Sequence, residues 1–316
     1  MRRPHVLITH RPFPETVQLL AAHCAVDVNQ TPDTLTAAEL RTRAAEVDGL
    51  LVFMPDLIDS ALLDACPRLR VVAAALKGDD NIDVAAAARR GITVSIVEDL
   101  LTEPTAELAV ALLLAAARRV GEGDRLVRSG SFRGWRPTLY GLGLTGSTVG
   151  LLVFGAVGQA IARRLSGFDC QLLHVDPVIT DNQHGSRPVD VDDLFTRCDA
   201  VVVSAPLTPH TAGMVGAEQL TRLPAHAVLV NVGRGSVIDE DAVATALDRG
   251  SLGAYAADVF AFEDRARPER PLGIHEALRT QERTVFTPHL GSATTTARRS
   301  IERLAAENLL QVLAPN

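Results

Sequence analysis

Aromatic residues are scarce in this chain of 316 residues, at 4% with a single tryptophan and two tyrosines, while the hydrophobic fraction still reaches 47%. That balance excludes a disordered chain and fits Val/Leu strands packed beneath Ala-rich helices. Cysteine is sparse as well. Cys24, Cys66, Cys170 and Cys198 stand far apart, with no C-x-x-C pair and no Cys/His cluster, so reduced thiols, a cytoplasmic location and no metal are expected. No basic run offsets the net charge of -7, which leaves nucleic acid without an electrostatic footprint and obliges an anionic substrate to find a local cationic pocket. No apolar run approaches the ~20 residues of a membrane span. The longest, residues 108–117, follows a helix-start signal and reads as a buried helix, so no membrane partner is expected. The segment from Met1 to His10 lacks the apolar core and small-residue cleavage site of an export signal. Repeats and low-complexity stretches are absent too.

The length exceeds what one hydrophobic core usually organises, and two domains are expected. Short apolar runs recur at residues 6–9, 49–53, 71–75 and 93–97, separated by segments such as 36–47 with helical charge spacing. This βαβ alternation implies a parallel sheet covered on both faces over roughly residues 1–100. Thr102-Glu-Pro-Thr-Ala-Glu107 then opens a long helix, with a capping threonine, an acid at the positive helix end and a proline suited to the first turn; it is expected to end near Val120-Gly121. A second alternation begins at 148–154 and repeats through 171–175, 200–204, 227–231, 253–258 and 285–287. A last helix at about 294–313 carries Ile301, Leu304, Ala305, Asn308 and Leu309 at helical spacing and is expected to return to cover the first domain.

The run Thr148-Val-Gly-Leu-Leu-Val-Phe-Gly155-Ala-Val-Gly158 reads as a strand, a tight turn and a helix start. Gly155 lets a backbone approach a pyrophosphate, and Gly158 lets the helix pack closely on the strand. The first glycine of G-x-G-x-x-G is replaced by Val153, whose Cβ is expected to strain the turn or crowd a cofactor and so weaken its binding. A plain strand-to-helix turn is the alternative. Asp176 closes the next strand about 20 residues beyond the glycines, where a carboxylate accepts bonds from ribose hydroxyls, or simply caps a strand-end turn. Pro177-Val-Ile-Thr180 offers no cation for a 2'-phosphate, so NAD is expected over NADP.

Three segments follow strands in the second half: Asn231-Val-Gly-Arg234-Gly-Ser, Ala257-Asp258-Val-Phe-Ala-Phe-Glu263 and Thr287-Pro-His289-Leu-Gly-Ser292. Ligands of open α/β sheets bind beyond the carboxyl ends of strands. Arg234 offers a planar fork for an oxyanion, His289 a proton carrier near neutral pH, and Glu263 a carboxylate to orient the ring. Taken singly, each also suits a surface ion pair, a core histidine or a solvated acid.

Together with Pro206-Leu-Thr-Pro-His-Thr211 and Gly235-Ser-Val-Ile-Asp-Glu240, this ordered trio resembles the D-2-hydroxyacid dehydrogenase family over nearly the whole chain. The resemblance implies two doubly wound parallel-sheet domains: a flavodoxin-like substrate domain (1–100 plus 292–316) and a Rossmann NAD-binding domain (101–291) inserted in it. It assigns catalysis to Arg234, Glu263 and His289, and adds Ala156, Val157, Pro177, Pro206, Val232, Asp258, His289 and Ser292 to the cofactor contacts Gly155, Gly158 and Asp176.

Within the family the chain is most similar to the phosphite dehydrogenases. The similarity lies in Leu7-Ile-Thr-His-Arg11, Phe53-Met-Pro-Asp56, Ala75-Leu-Lys77-Gly, Phe132-Arg-Gly-Trp135-Arg-Pro, Ala256-Ala-Asp-Val-Phe260 with Glu263-Asp264, and Pro288-His-Leu-Gly-Ser292. It implies oxidation of phosphite to phosphate with hydride transfer to NAD and water as nucleophile, in a homodimer. Lys77, with Gly78 beside it, is expected to join Arg234 and His289 in binding a small dianion; a solvated loop lysine is the bland alternative. Met54 either lines the pocket or fills a core gap, and Arg298 either adds to a cationic rim or packs on a helix surface. Trp135 and Tyr140 fall in one loop that the family places near the active site and the dimer interface. The alternative function is a D-2-hydroxyacid dehydrogenase reducing a small 2-keto acid with the same trio, and a non-catalytic nucleotide sensor is a further one. The chain stops at Pro315-Asn316, before the family's usual C-terminal extension, which bears on dimer stability and site closure.

Overall fold

The computed structural model describes residues 2–314, so the chain end at Pro315-Asn316 lies outside the described residues. The chain divides into two compact units. The first takes the chain up to Leu101, Arg265–Pro268 and everything from Ser292 onward; the second holds Thr102–Asp264 and Glu269–Gly291.

The first unit runs β1 (His5–Ile8), α1 (Pro14–Ala21), β2 (Ala25–Val28), α2 (Ala37–Ala44), β3 (Gly49–Val52), α3 (Ser60–Asp64), β4 (Val71–Ala74), α4 (Val84–Arg89) and β5 (Thr93–Ser95). Its five strands pair in parallel in the order β2-β1-β3-β4-β5, the flavodoxin-like order expected. The central strands, Gly-Leu-Leu-Val and Val-Val-Ala-Ala, are buried at every position because helices cover both faces. The strand period sorts their side chains: Leu7, Leu50, Val52 and Val72 face one core with Leu62 and Ile82, while Val6, Ile8, Leu51 and Val71 face another with Leu20. α2 starts on a capping box in which Thr36 and Glu39 satisfy each other's backbone amides.

The second unit contains α5 (Thr102–Ala117), α6 (Val120–Arg128), β6 (Thr148–Leu152), α7 (Ala156–Leu165), β7 (Gln171–Val175), β8 (Ser186–Pro188), α8 (Val191–Arg197), β9 (Ala200–Val203), α9 (Ala217–Arg222), β10 (Val228–Asn231), α10 (Glu240–Asp248), β11 (Ala254–Ala257), α11 (Glu276–Thr280) and β12 (Thr284–Phe286). Its seven strands are parallel in the order β12-β11-β10-β9-β6-β7-β8, a Rossmann arrangement with β6 first. α5 stops short of the expected Val120-Gly121. Its last carbonyl, on Ala117, accepts the Leu142 N–H at 2.8 Å, and Arg119 turns into the left-handed region at φ 53° before α6 begins. The final helix, α12 (Thr295–Leu313), belongs to the first unit, is capped by Thr294 and buries Ile301, Ala305 and Leu309 in the second of that unit's cores. No helix among the described residues is long and apolar enough to cross a membrane.

Candidate active and cofactor site

The glycine turn, Asp176 and the segments carrying Arg234, Glu263 and His289 all leave the carboxyl edge of the second unit's sheet. After β6 the chain makes a left-handed turn at Val153, φ 69°, and enters α7 at Gly155. This conformation strains a β-branched residue. The turn is held from outside: Val153 N–H donates to the Val175 carbonyl at 2.9 Å and the Ser204 hydroxyl donates to the Val153 carbonyl at 3.0 Å. Gly158 must be glycine here, since a Cβ would lie 2.7 Å from the Val153 carbonyl oxygen. At Gly155 a Cβ would meet nothing within 4 Å, so the space before α7 is open.

Asp176 follows β7 and reaches back to this turn. Its Oδ2 accepts the Phe154 N–H at 2.8 Å, and its Oδ1 accepts Val178 and Ile179 N–H at 2.9 and 3.0 Å. Burial alone raises a carboxyl, but the amides of Ile179, Val178 and Phe154 outweigh it and hold Asp176 below the usual carboxylate range.

The catalytic candidates lie on the turns after β10, β11 and β12. His289 Nδ1 stands 2.8 Å from Glu263 Oε2, while Glu263 Oε1 accepts the Phe260 N–H at 2.8 Å. A carboxylate on Nδ1 fixes the ring's orientation and leaves Nε2 as the atom for proton exchange. His289 itself is left-handed at φ 54°, and its N–H donates to the carbonyls of Asp258 and Thr287 at 2.9 and 3.0 Å. Asp258, 1% exposed, organises that loop: its Oδ1 accepts the Thr287 hydroxyl and the Leu290 N–H, each at 2.6 Å, and its Oδ2 accepts the Gly291 N–H at 2.8 Å. Burial pushes the Asp258 carboxyl up against the pull of those three donors. The Arg234 turn is shaped by buried Asn231, whose side chain accepts from Gly233 N–H and donates to the Arg234 carbonyl, both at 3.0 Å. Sequence reasoning passed over Asn231 and Ser204, which act through backbone groups, and Thr287, which acts through the Asp258 carboxylate; none carries a motif of its own.

In the first unit, Met54, Lys77 and Gly78 lie on turns beyond the carboxyl ends of β3 and β4. Met54 is partly buried against the core, and its carbonyl accepts from Asn81 at 3.0 Å. Lys77 is half-buried. Arg298, near the start of α12, donates to the Ala75 carbonyl at 3.2 Å and lies over the Phe53 ring at 5.6 Å, so the structure brings it to the Lys77 loop. Trp135 and Tyr140 are 85% and 74% exposed and belong to no hydrophobic core. A cavity of about 440 Å³ in the second unit opens at Val228 and Ala254, the first residues of β10 and β11, at the end of the sheet opposite the catalytic turns. It is not the site of the chemistry.

The profile described as "D-isomer specific 2-hydroxyacid dehydrogenase, NAD binding domain" matches residues 110–291. The glyoxylate reductase of Thermococcus onnurineus is 36% identical over 318 residues, spanning 98% of this chain and 92% of the relative. This chain belongs to the D-isomer specific 2-hydroxyacid dehydrogenase family. The glyoxylate reductase of Pyrococcus furiosus is 37% identical over the same shares of the two chains. Among solved structures, a Thermus thermophilus protein superposes with a TM-score of 0.90 at 35% identity, covering 98% of this chain and 96% of that one. The NADPH-dependent glyoxylate/hydroxypyruvate reductase of Sinorhizobium meliloti, in complex with NADP and malonate, gives 0.84 at 31%, covering 99% and 95%.

As a 2-hydroxyacid dehydrogenase the chain is an oxidoreductase that takes NAD, and its residues fit that cofactor. The open space before α7, the close packing at Gly158 and the anionic Asp176 at the end of β7 are what a dinucleotide's pyrophosphate and ribose require. The finer expectation of a phosphite dehydrogenase finds no support among these relatives, three of which are named for glyoxylate. An arginine, a glutamate and a histidine in this arrangement suit hydride chemistry at either carbon or phosphorus, so the trio does not select a branch of the family.

Proposed function

We propose that this dehydrogenase reduces a small 2-keto acid, of the size of glyoxylate or hydroxypyruvate, to the D-2-hydroxyacid. The reading is carried by the 2.8 Å contact between His289 Nδ1 and Glu263. Glu263 holds the ring through Nδ1, and His289 Nε2 delivers a proton to the substrate's carbonyl oxygen. Arg234 engages the substrate carboxylate through its planar fork. Bound NADH supplies the hydride to the carbonyl carbon. In the reverse direction His289 takes the hydroxyl proton.

The first unit, residues 1–100 plus 292–316, serves as the substrate domain, with the Lys77-Gly78 turn, Met54 and Arg298 as its contribution; Trp135 and Tyr140, expected at the site, are assigned instead to the surface between two copies. Residues 101–291 hold NAD through Gly155, Ala156, Val157, Gly158, Asp176, Pro177, Pro206, Val232, Asp258 and His289, with Ser292 beyond. Asp176 and the absence of a cation at 177–180 favour NAD over NADP, whereas the Sinorhizobium relative is named for NADPH. Replacing Asp176 by Ala and Pro177 by Arg together shifts preference toward NADP. Val120, Val127, Phe132, Trp135 and Tyr140 leave a run of exposed apolar side chains that a second copy covers, giving a homodimer. The free cysteines suit a cytoplasmic enzyme.

One observation favours phosphite as a second reading: Lys77 is the only lysine among the 31 basic residues. A chain that uses arginine everywhere else keeps a compact ammonium in this one turn, and a point cation suits a small dianion. There, His289 takes a proton from the attacking water as the P–H hydride leaves for NAD. Absorbance at 340 nm decides between them. Oxidation of NADH with glyoxylate or hydroxypyruvate supports the first reading, reduction of NAD with phosphite alone replaces it by the second, and no change with these or with D-lactate and D-glycerate rejects both in favour of a nucleotide sensor.

A further inference from the structure

The Arg234 and Glu263 turns are tied to each other by two carboxylates that the proposed reaction does not use. Ser236, two residues past Arg234, donates its N–H to Asp264 Oδ2 at 2.7 Å, and Asp264 is 1% exposed. On the other side, Ala261 N–H donates at 2.8 Å to Oε1 of Glu240, the first residue of α10 and 8% exposed. Between these ties the two backbones touch. A Cβ on Gly235 would lie 1.8 Å from the Phe260 carbonyl carbon, so only glycine permits this approach. Glu263 stands between Ala261 and Asp264 and points one oxygen at Phe260 N–H and the other at His289. The path from Arg234 to the His289 ring therefore runs through short carboxylates and backbone amides, with no long flexible side chain in it.

We propose that Asp264 is a positioning residue: by holding Ser236 N–H it clamps the Glu263 turn to the Arg234 turn, and so sets the Glu263–His289 geometry and the aim of the Arg234 fork together. Glu240 is the second tie of the same clamp. Burial of a carboxylate is costly, and a charge-assisted bond to a backbone amide is the strong, short kind that returns rigidity for that cost. This inference rests on the role of His289 as proton donor.

The charged groups facing His289 are Glu263, on the turn after β11, and Asp258, at its end. If Asp264 is removed, Glu263 drifts from the ring and His289 Nδ1 loses its partner. Three variants test this in the NADH-bound enzyme. D264A and D264E are expected to lower kcat about tenfold, the scale of a small misplacement of a catalytic group, with the NADH Kd unchanged. D264N, which keeps an oxygen for Ser236 N–H, stays within about twofold. The readout that does not depend on turnover is the downfield His289 Nδ1–H resonance, the signature of its hydrogen bond to Glu263, which moves upfield or broadens away in D264A and D264E and is kept in wild type and D264N. Where D264A fails to fold, D264E carries the test, since it keeps the charge and displaces the carboxylate by one methylene. An unmoved Nδ1–H resonance in the folded variants overturns the proposal even if kcat falls. Full activity in H289A would instead overturn the proton-donor reading, and the resonance would still report on Asp264.

Discussion

Glu263 divides its carboxylate between the Phe260 N–H and the His289 imidazole, each at 2.8 Å. The histidine is thus aimed by a group that is itself anchored to the backbone. Replacement of His289 by Ala should lower kcat at least ~100-fold, the usual scale for losing a general acid, while NADH affinity measured by fluorescence titration stays unchanged. Turnover near the wild-type rate would remove His289 from the chemistry.

Val153 occupies the left-handed region at the one position where the dinucleotide turn usually has glycine. Relief of that strain in Val153→Gly should raise stability by about 1 kcal/mol and lower the KM for NAD. Thermal unfolding and initial-rate kinetics check the two effects separately, and an unchanged KM would mean that the Ser204 and Val175 bonds already hold the turn in its binding form.

Asp176 makes a pH-dependent contribution of definite sign. Its carboxyl lies below the unfolded-chain value, so its stabilisation is complete above the ordinary carboxylate range and disappears as pH falls through the lower folded value. Asp176→Asn should cost about 1 kcal/mol at pH 7, the size of a charge-assisted bond at a partly exposed group, and progressively less toward pH 4. Urea unfolding at several pH values reads this out; a gap that widens on acidification would contradict it.

Lys77 offers a chemical test because the chain has no other lysine. Amine-selective acylation can modify only Lys77 and the N-terminus, and substrate should protect the lysine if it lies in the anion site. Lys77→Met should leave 2-keto acid reduction within about threefold where Arg234 and backbone amides suffice, and abolish phosphite oxidation if that is the reaction. Peptide mass mapping and the 340 nm assay give the answer.

The most legible strands were those buried on both faces: β3, β4 and β9 are unbroken apolar runs, as parallel strands under two helical layers must be, while the edge strands β5 and β12 were read from their place in the alternation. The edge strands β2 and β8 left no such signal: Ala25–Val28 has no buried residue, and Ser186–Pro188 ends in a proline that only an edge accepts. The break at Arg119 was hidden for a different reason, since α5 is stopped by the distant Leu142 amide and not by a local breaker. At the site, His289, Glu263 and Arg234 were visible because chemistry restricts residue type. Asp264 and Asn231 were visible only in three dimensions, because their partners are backbone amides that every residue possesses.

Asp258 binds Thr287, Leu290 and Gly291 with one buried carboxylate. A segment that looks like a surface connection, with Leu290 42% exposed, is pinned at three points to one core carboxylate, and releasing any of them leaves a buried charge short of a donor, which opposes local fraying of the loop.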